Sequence, residues 1–309
     1  MRIFVTGATG FIGSAIVREL LDAGHQVVGL ARSDASAAAL AANGADVQRG
    51  LLEDLDVLRR TALASDGVIH TAYDHRFTDM AAAAQTDRRA VEALGSALEG
   101  SGRPLVIASG VLGLVPGRVA TERDAGDLTS PAGARRATEQ MVLSLASRGV
   151  RSSAVRLAPT VHGRGDHGFV ARLVTIARDK GVSGYVGDGS SRWPAVHRLD
   201  AAHLFRLALE SAPAGTPLHG VAEEGVPVRA IAEAIGRHLH VPVVAISPDE
   251  APSHFGFLGA LLGIDSPVSS ELTRELLGWN TNQPGLIEDL EQGHYFVEQA
   301  GGVATRQTS

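Results

Sequence analysis

The chain opens on the apolar, β-rich run Met1-Arg2-Ile3-Phe4-Val5-Thr6, continues through Gly7-Ala8-Thr9-Gly10-Phe11-Ile12-Gly13, and then shows a helical pattern of buried-type positions through Leu21. Further short Val/Ile/Leu-rich runs end at Leu30, Gln48, Thr71, Ala108 and Arg156. Between them lie amphipathic stretches at the helical period, which predict helices near 12–23, 34–43, 54–64, 79–101 and 131–148. Strand and helix alternating in this way predict parallel strands joined by right-handed crossovers, a doubly wound α/β sheet. Asp54 is expected to cap its helix, and Gly24, Gly44, Gly102 and Gly149 to end theirs.

After Arg156 the pattern becomes irregular. A histidine- and glycine-rich segment precedes a helix near 167–180, the stretch Tyr185 to Trp193, a helix near 200–211 and a short strand by His219. A helix near 227–239 and a strand from Pro242 to Ile246 follow. The expected organisation is a dinucleotide-binding domain over 1–156, with part of the later chain returning to its sheet. A smaller, mainly substrate-binding lobe takes 157–300, and a polar tail, frayed by default, takes 301–309.

The three glycines carry the first chemistry. Gly7 lets the backbone turn off the strand, Gly10 lets the main chain approach a pyrophosphate, and Gly13 lets helix and strand pack closely. The bare N–H groups and dipole of the helix start then hold phosphate, with Thr9, Phe11 and Ile12 in the loop. The next strand ends at Ala31-Arg32-Ser33, where an acidic residue would take the ribose 2′-hydroxyl of NAD. With no carboxylate to repel a 2′-phosphate and a guanidinium to pair with it, NADP is the expected cofactor and NAD the alternative.

Composition narrows the classes further. At 309 residues the chain has room for a nucleotide domain plus a lobe. It has no cysteine, so disulfides and thiolate metal sites are excluded, and a cytoplasmic setting is expected. A net charge of −6 with both signs interspersed suggests neither a nucleic-acid patch nor a polybasic membrane surface. The longest apolar stretch, Phe255 to Ile264, has ten residues, too few to span a bilayer, and the opening strand leaves no room for a signal peptide. The expected partner is a small-molecule substrate, with the protein a monomer or homodimer.

Gly7-Ala8-Thr9-Gly10-Phe11-Ile12-Gly13 resembles the signature of extended short-chain dehydrogenases/reductases, the NAD-dependent epimerase/dehydratase family. The resemblance continues through Val68-Ile69-His70-Thr71-Ala72, Val106-Ile107-Ala108-Ser109-Gly110, Arg156-Leu157-Ala158-Pro159-Thr160-Val161-His162-Gly163 and Val196-His197-Arg198-Leu199-Asp200-Ala201-Ala202. It covers roughly residues 1–210. It implies that Thr71 and Ala72 line the adenosine side and that Ser109 is an active-site hydroxyl.

The family's tyrosine and lysine are absent. At the matching helix start Ala132 stands for the tyrosine and Arg136 for the lysine, so the usual proton transfer has no group there, while Arg136 retains the means to bind ribose hydroxyls. Asp87 replaces the usual asparagine and Leu51 the acidic residue after the third strand. Tyr73, beside Asp74 and His75, and His162 are the expected proton donors, with Ser109 polarising the acceptor. Trp193 and His197 are expected as a substrate wall, or Trp193 as core.

His162, Asp166, His167 and His197 invite a metal reading, but no helical H-x-x-x-H face supports it and no metal is assigned. A serine hydrolase lacks its G-x-S-x-G, and phosphoryl transfer its Gly-Lys-Ser/Thr. The leading expectation is therefore an NADP(H)-dependent oxidoreductase of an atypical extended short-chain type, reducing a carbonyl or related double bond of a small organic molecule. Its rivals are a sugar-nucleotide epimerase or dehydratase and a non-catalytic NADP sensor.

Overall fold

The computed structural model describes residues 1–73, 80–129 and 133–297. Asp74, His75, Ala132 and the tail 301–309 lie outside the described residues. The first half alternates as its pattern requires: β1 Arg2–Thr6, α1 Phe11–Asp22, β2 Gln26–Ala31, α2 Asp34–Ala42, β3 Asp46–Arg49, α3 Leu55–Leu63, β4 Gly67–His70, α4 Met80–Leu98, β5 Pro104–Gly110, α5 Gly133–Ser144 and β6 Arg151–Leu157. Then come β7 Thr160–His162, α6 Phe169–Lys180, β8 Ser183–Val186, β9 Arg192–His197, α7 Arg198–Ser211, β10 Thr216–Gly220, β11 Glu223–Pro227, α8 Val228–Leu239 and β12 Val243–Ile246. The last elements are α9 Ala251–Phe255, α10 Leu258–Leu262, α11 Glu271–Leu277 and α12 Leu286–Glu291.

The large sheet has seven parallel strands in the order β10-β6-β5-β4-β1-β2-β3. Because strand side chains alternate, β1 sends Ile3 and Val5 to one face and Phe4 to the other. The first pair joins a core with α1, α7 and Trp279. Phe4 joins a second core built from α3, α4 and α5, including Leu58, Leu94 and Val142. Burial on both faces explains why these strands read as continuous apolar runs.

β10 returns to the large sheet beside β6 after a passage through the lobe, with Thr216 opposite Ser153. The lobe has its own core under the strand order β11-β9-β7 and a β12-β8 pair. Asp54 occupies its helix's cap position without capping it, because its carboxylate takes the Leu51 N–H at 2.7 Å instead. Gly24, Gly44, Gly102 and Gly149 all have positive φ at the breaks where helices were expected to stop. No helix among the described residues is long and apolar enough to cross a membrane.

Candidate functional site: the β1 loop and the carboxyl ends of β4 to β6

The glycine loop is shaped by backbone crowding. Gly7 has φ +69°, and a Cβ there would stand 2.7 Å from both Ala72 N and Thr71 Oγ1. Thr71 in turn donates its hydroxyl to Thr6 O at 2.9 Å, so Thr71 and Ala72 brace the loop from β4. A Cβ on Gly13 would fall 2.0 Å from Gly7 O. Gly10 differs, because its Cβ would meet only Gly7 O, at 3.2 Å.

That open side adjoins the start of α1. Ser14 N–H is the first to bond back, to Gly10 O at 2.9 Å, and no side chain among the described residues caps the helix. The amides of Phe11, Ile12 and Gly13 thus have no acceptor within the helix. A cradle lined by free amides and kept clear of side chains fits a dinucleotide pyrophosphate. Thr9 is exposed on its rim.

At the end of β2, Ala31 is buried and Arg32 exposed. Ser33 caps α2 in a capping box: its hydroxyl accepts from Ser36 N at 3.2 Å while Ser36 Oγ accepts from Ser33 N at 3.0 Å. Asp34, the nearest carboxylate in the chain, pairs with Arg49 at 2.7 Å. Leu51 is exposed beyond β3.

The ends of β4 and β5 are joined by Arg135, a residue that sequence reasoning passed over. Its guanidinium lies 4.1 Å from the Tyr73 ring centroid and donates to Ala108 O at 3.1 Å. Tyr73 and Ser109 are therefore brought to one edge of the sheet. Ser109 donates its hydroxyl to Glu139 Oε2 at 2.5 Å. Glu139 also receives Arg156 through Nε at 2.7 Å and Nη2 at 2.6 Å. Ser109 and Arg156 are direct neighbours in the β5–β6 register, so one carboxylate on α5 serves both.

Arg156 is only 3% exposed, and its remaining arm donates to Asp124 O and to His219 Nε2. It acts as scaffold. Arg136, expected at the ribose, is equally buried against Leu112 O, to which it donates at 2.7 Å, and its Nε and Nη1 have no hydrogen-bond partner among the described residues. Burial holds its guanidinium below the usual range, against the partial support of Glu139. Asp87 is buried on α4. It accepts from His70 Nε2 at 3.0 Å, which leaves Nδ1 to accept the Thr6 hydroxyl at 2.8 Å.

His162 stands apart from Tyr73 and Ser109, on β7 in the lobe's own sheet. It is 1% exposed, with Nδ1 3.0 Å from Asp289 Oδ2 and Nε2 unpartnered among the described residues. Although burial works to raise the Asp289 carboxyl, hydrogen bonds from His162 and His294 hold it below the ordinary range. His197 meets His162 edge-on at 5.4 Å and caps α7 by accepting Leu199 N–H. Asp166 and Tyr295 form a second buried pair at 3.0 Å, in which burial raises both groups. Among the described residues no group of three metal-binding side chains converges. Trp193 proves to be core: it is fully buried against Phe169 rather than forming a substrate wall.

Known proteins share this chain's sequence and fold. An uncharacterised protein of Schizosaccharomyces pombe is 50% identical over 297 residues, covering 96% of this chain and all of the relative. The 2-alkyl-3-oxoalkanoate reductase of Stenotrophomonas maltophilia is 30% identical over 233 residues, covering 72% and 69%. Among solved structures, dTDP-glucose 4,6-dehydratase from Streptomyces venezuelae matches with a TM-score of 0.77 at 22% identity, over 95% of this chain and 96% of its own. The family model for the NAD dependent epimerase/dehydratase family matches residues 3–219, from the first strand of the glycine loop to the returning strand β10. The chain therefore belongs to the NAD dependent epimerase/dehydratase family.

Proposed function

We propose that this protein is an NADP(H)-dependent oxidoreductase of an atypical extended short-chain kind that reduces a carbonyl or related double bond of a small organic molecule. The observation that carries the reading is the end of β2. Arg32 is exposed there with no ion-pair partner among the described residues, and the neighbouring Asp34 is occupied by Arg49. A 2′-phosphate gains a charge-assisted partner at this place and meets no free carboxylate.

The nicotinamide, when bound, supplies the hydride. The chain's own part is orientation and a proton. The glycine loop and the α1 amides bind the phosphates, and Thr71 and Ala72 back the adenosine side. Tyr73, steadied under Arg135 at the β4 edge, is the proton donor of this reading. Ser109 polarises the acceptor only if its proton leaves Glu139, which holds it at 2.5 Å. His162 reaches the substrate only if the lobe opens around Asp289. Ala132, where the family's tyrosine would stand, supports a second reading, in which the protein binds NADP without turning over a substrate.

Titration of both cofactors tests the first claim. Arg32→Ala is expected to weaken NADPH by about ten- to a hundredfold and to leave NADH nearly unchanged. Equal losses for both overturn the 2′-phosphate assignment. A panel of ketones, aldehydes, enones and imines tests the second claim, and the relative named for 2-alkyl-3-oxoalkanoate reduction places 3-oxo acids on it. Tyr73→Phe is expected to lower turnover about 10²-fold with NADPH affinity intact. Tight NADPH binding with no turnover across the panel favours the non-catalytic reading.

A further inference from the structure

We infer that Arg198 and His167 form a cationic and hydrogen-bonding cover over the phosphate loop, binding the pyrophosphate of the dinucleotide from the side opposite the α1 amides. This rests on the dinucleotide site proposed above. It assigns phosphate-binding roles to two residues outside the glycine loop.

Both side chains converge on one ring. The Arg198 guanidinium lies 5.2 Å from the Phe11 ring centroid, and His167 meets the same ring edge-on at 5.8 Å. Phe11 is the first residue of α1, and its amide is one of the three without an acceptor in the helix. A cation resting on that ring is held within a side chain's reach of those amides. Arg198 has neither a hydrogen bond nor a carboxylate partner among the described residues, although it is half-buried at the start of α7. A half-buried guanidinium left without an acid is placed to receive an anion.

The cover is built rather than loose. Gly163 approaches so closely that a Cβ there would stand 2.8 Å from His197 Nε2 and 3.2 Å from the Arg198 stem. Tyr295 ties the loop from the far end of the chain: it accepts Gly163 N–H at 3.2 Å and donates to Asp166 at 3.0 Å. Asp166 in turn accepts Gly168 N–H at 2.6 Å, which sets the turn that carries His167.

The test is equilibrium binding of NADPH, NADH and adenosine to the intact chain, by fluorescence or calorimetry, at low and high salt. Arg198→Met, which keeps the stem, is expected to weaken both dinucleotides by about tenfold. It should also flatten the dependence of affinity on salt and leave adenosine unchanged. Arg198→Lys is expected to retain much of the affinity, and a thermal melt of each variant confirms folding. Unchanged dinucleotide affinity in a folded Arg198→Met variant overturns the assignment while the cofactor reading stands. An equal loss for adenosine also overturns it, because the residue is then scaffold. If the wild-type chain binds neither dinucleotide, both readings fall.

Discussion

Gly10 and Gly13, three and six residues beyond Gly7, illustrate how differently one residue type works at close range. Gly13 is required by the fold itself, since a Cβ would fall 2.0 Å from Gly7 O. Gly10 has extended backbone, φ −72° and ψ 174°, and open space beyond Gly7 O. Gly13→Ala is therefore expected to lower the melting temperature, because helix and loop must part. Gly10→Val is expected to leave the melt nearly unchanged and to abolish dinucleotide binding, since its methyl groups occupy the phosphate's space. Normal binding by a folded Gly10→Val variant removes the phosphate-loop reading.

At the scale of elements, β5, β6 and α5 are held together by Glu139. Its carboxylate is buried with Arg156 and takes the Ser109 hydroxyl, so its loss leaves an uncompensated guanidinium between two strands and a helix. Glu139→Ala is expected to cost about 3–5 kcal/mol in urea unfolding. The double variant Glu139→Leu with Arg156→Met is expected to recover a large part of that loss, because apolar groups replace both charges. A double variant less stable than Glu139→Ala alone would show that the pair stabilises through more than mutual neutralisation.

For the whole molecule, the buried histidines set a dependence on pH. Burial, with the nearby charges of His162 and Arg198, holds His197 below the usual imidazole range. Burial does the same for His219 despite its bond to Ser269 O. A histidine whose folded value is depressed contributes fully above the unfolded value, about 6.5, and loses that contribution as pH falls below it. Unfolding free energy is thus expected to decline from pH 7 toward pH 5.5, by at most about 1.4 kcal/mol per pH unit for each group. His197→Asn keeps an acceptor at the α7 cap and is expected to flatten that slope. An unchanged slope would place the proton uptake elsewhere.

Local pattern determined most of the architecture. The parallel α/β order was legible because strands buried on both faces read as apolar runs and their helices as amphipathic periods, and the dinucleotide loop because only glycine fits Gly7 and Gly13. Asp87, seen in the sequence as a departure, became intelligible only with His70 and Thr6 around it. Arg135 and Glu139 carry no signal of a role along the chain, since nothing along α5 says which turn meets Tyr73 or which meets the β5–β6 register. Asp289 met His162 across 127 positions of chain, Tyr295 met Gly163 across 132 and Arg198 met Phe11 across 187, only by folding. Periodicity records which face of an element is buried. Which side chains then meet is decided by how the elements pack, and that information is in the tertiary structure alone.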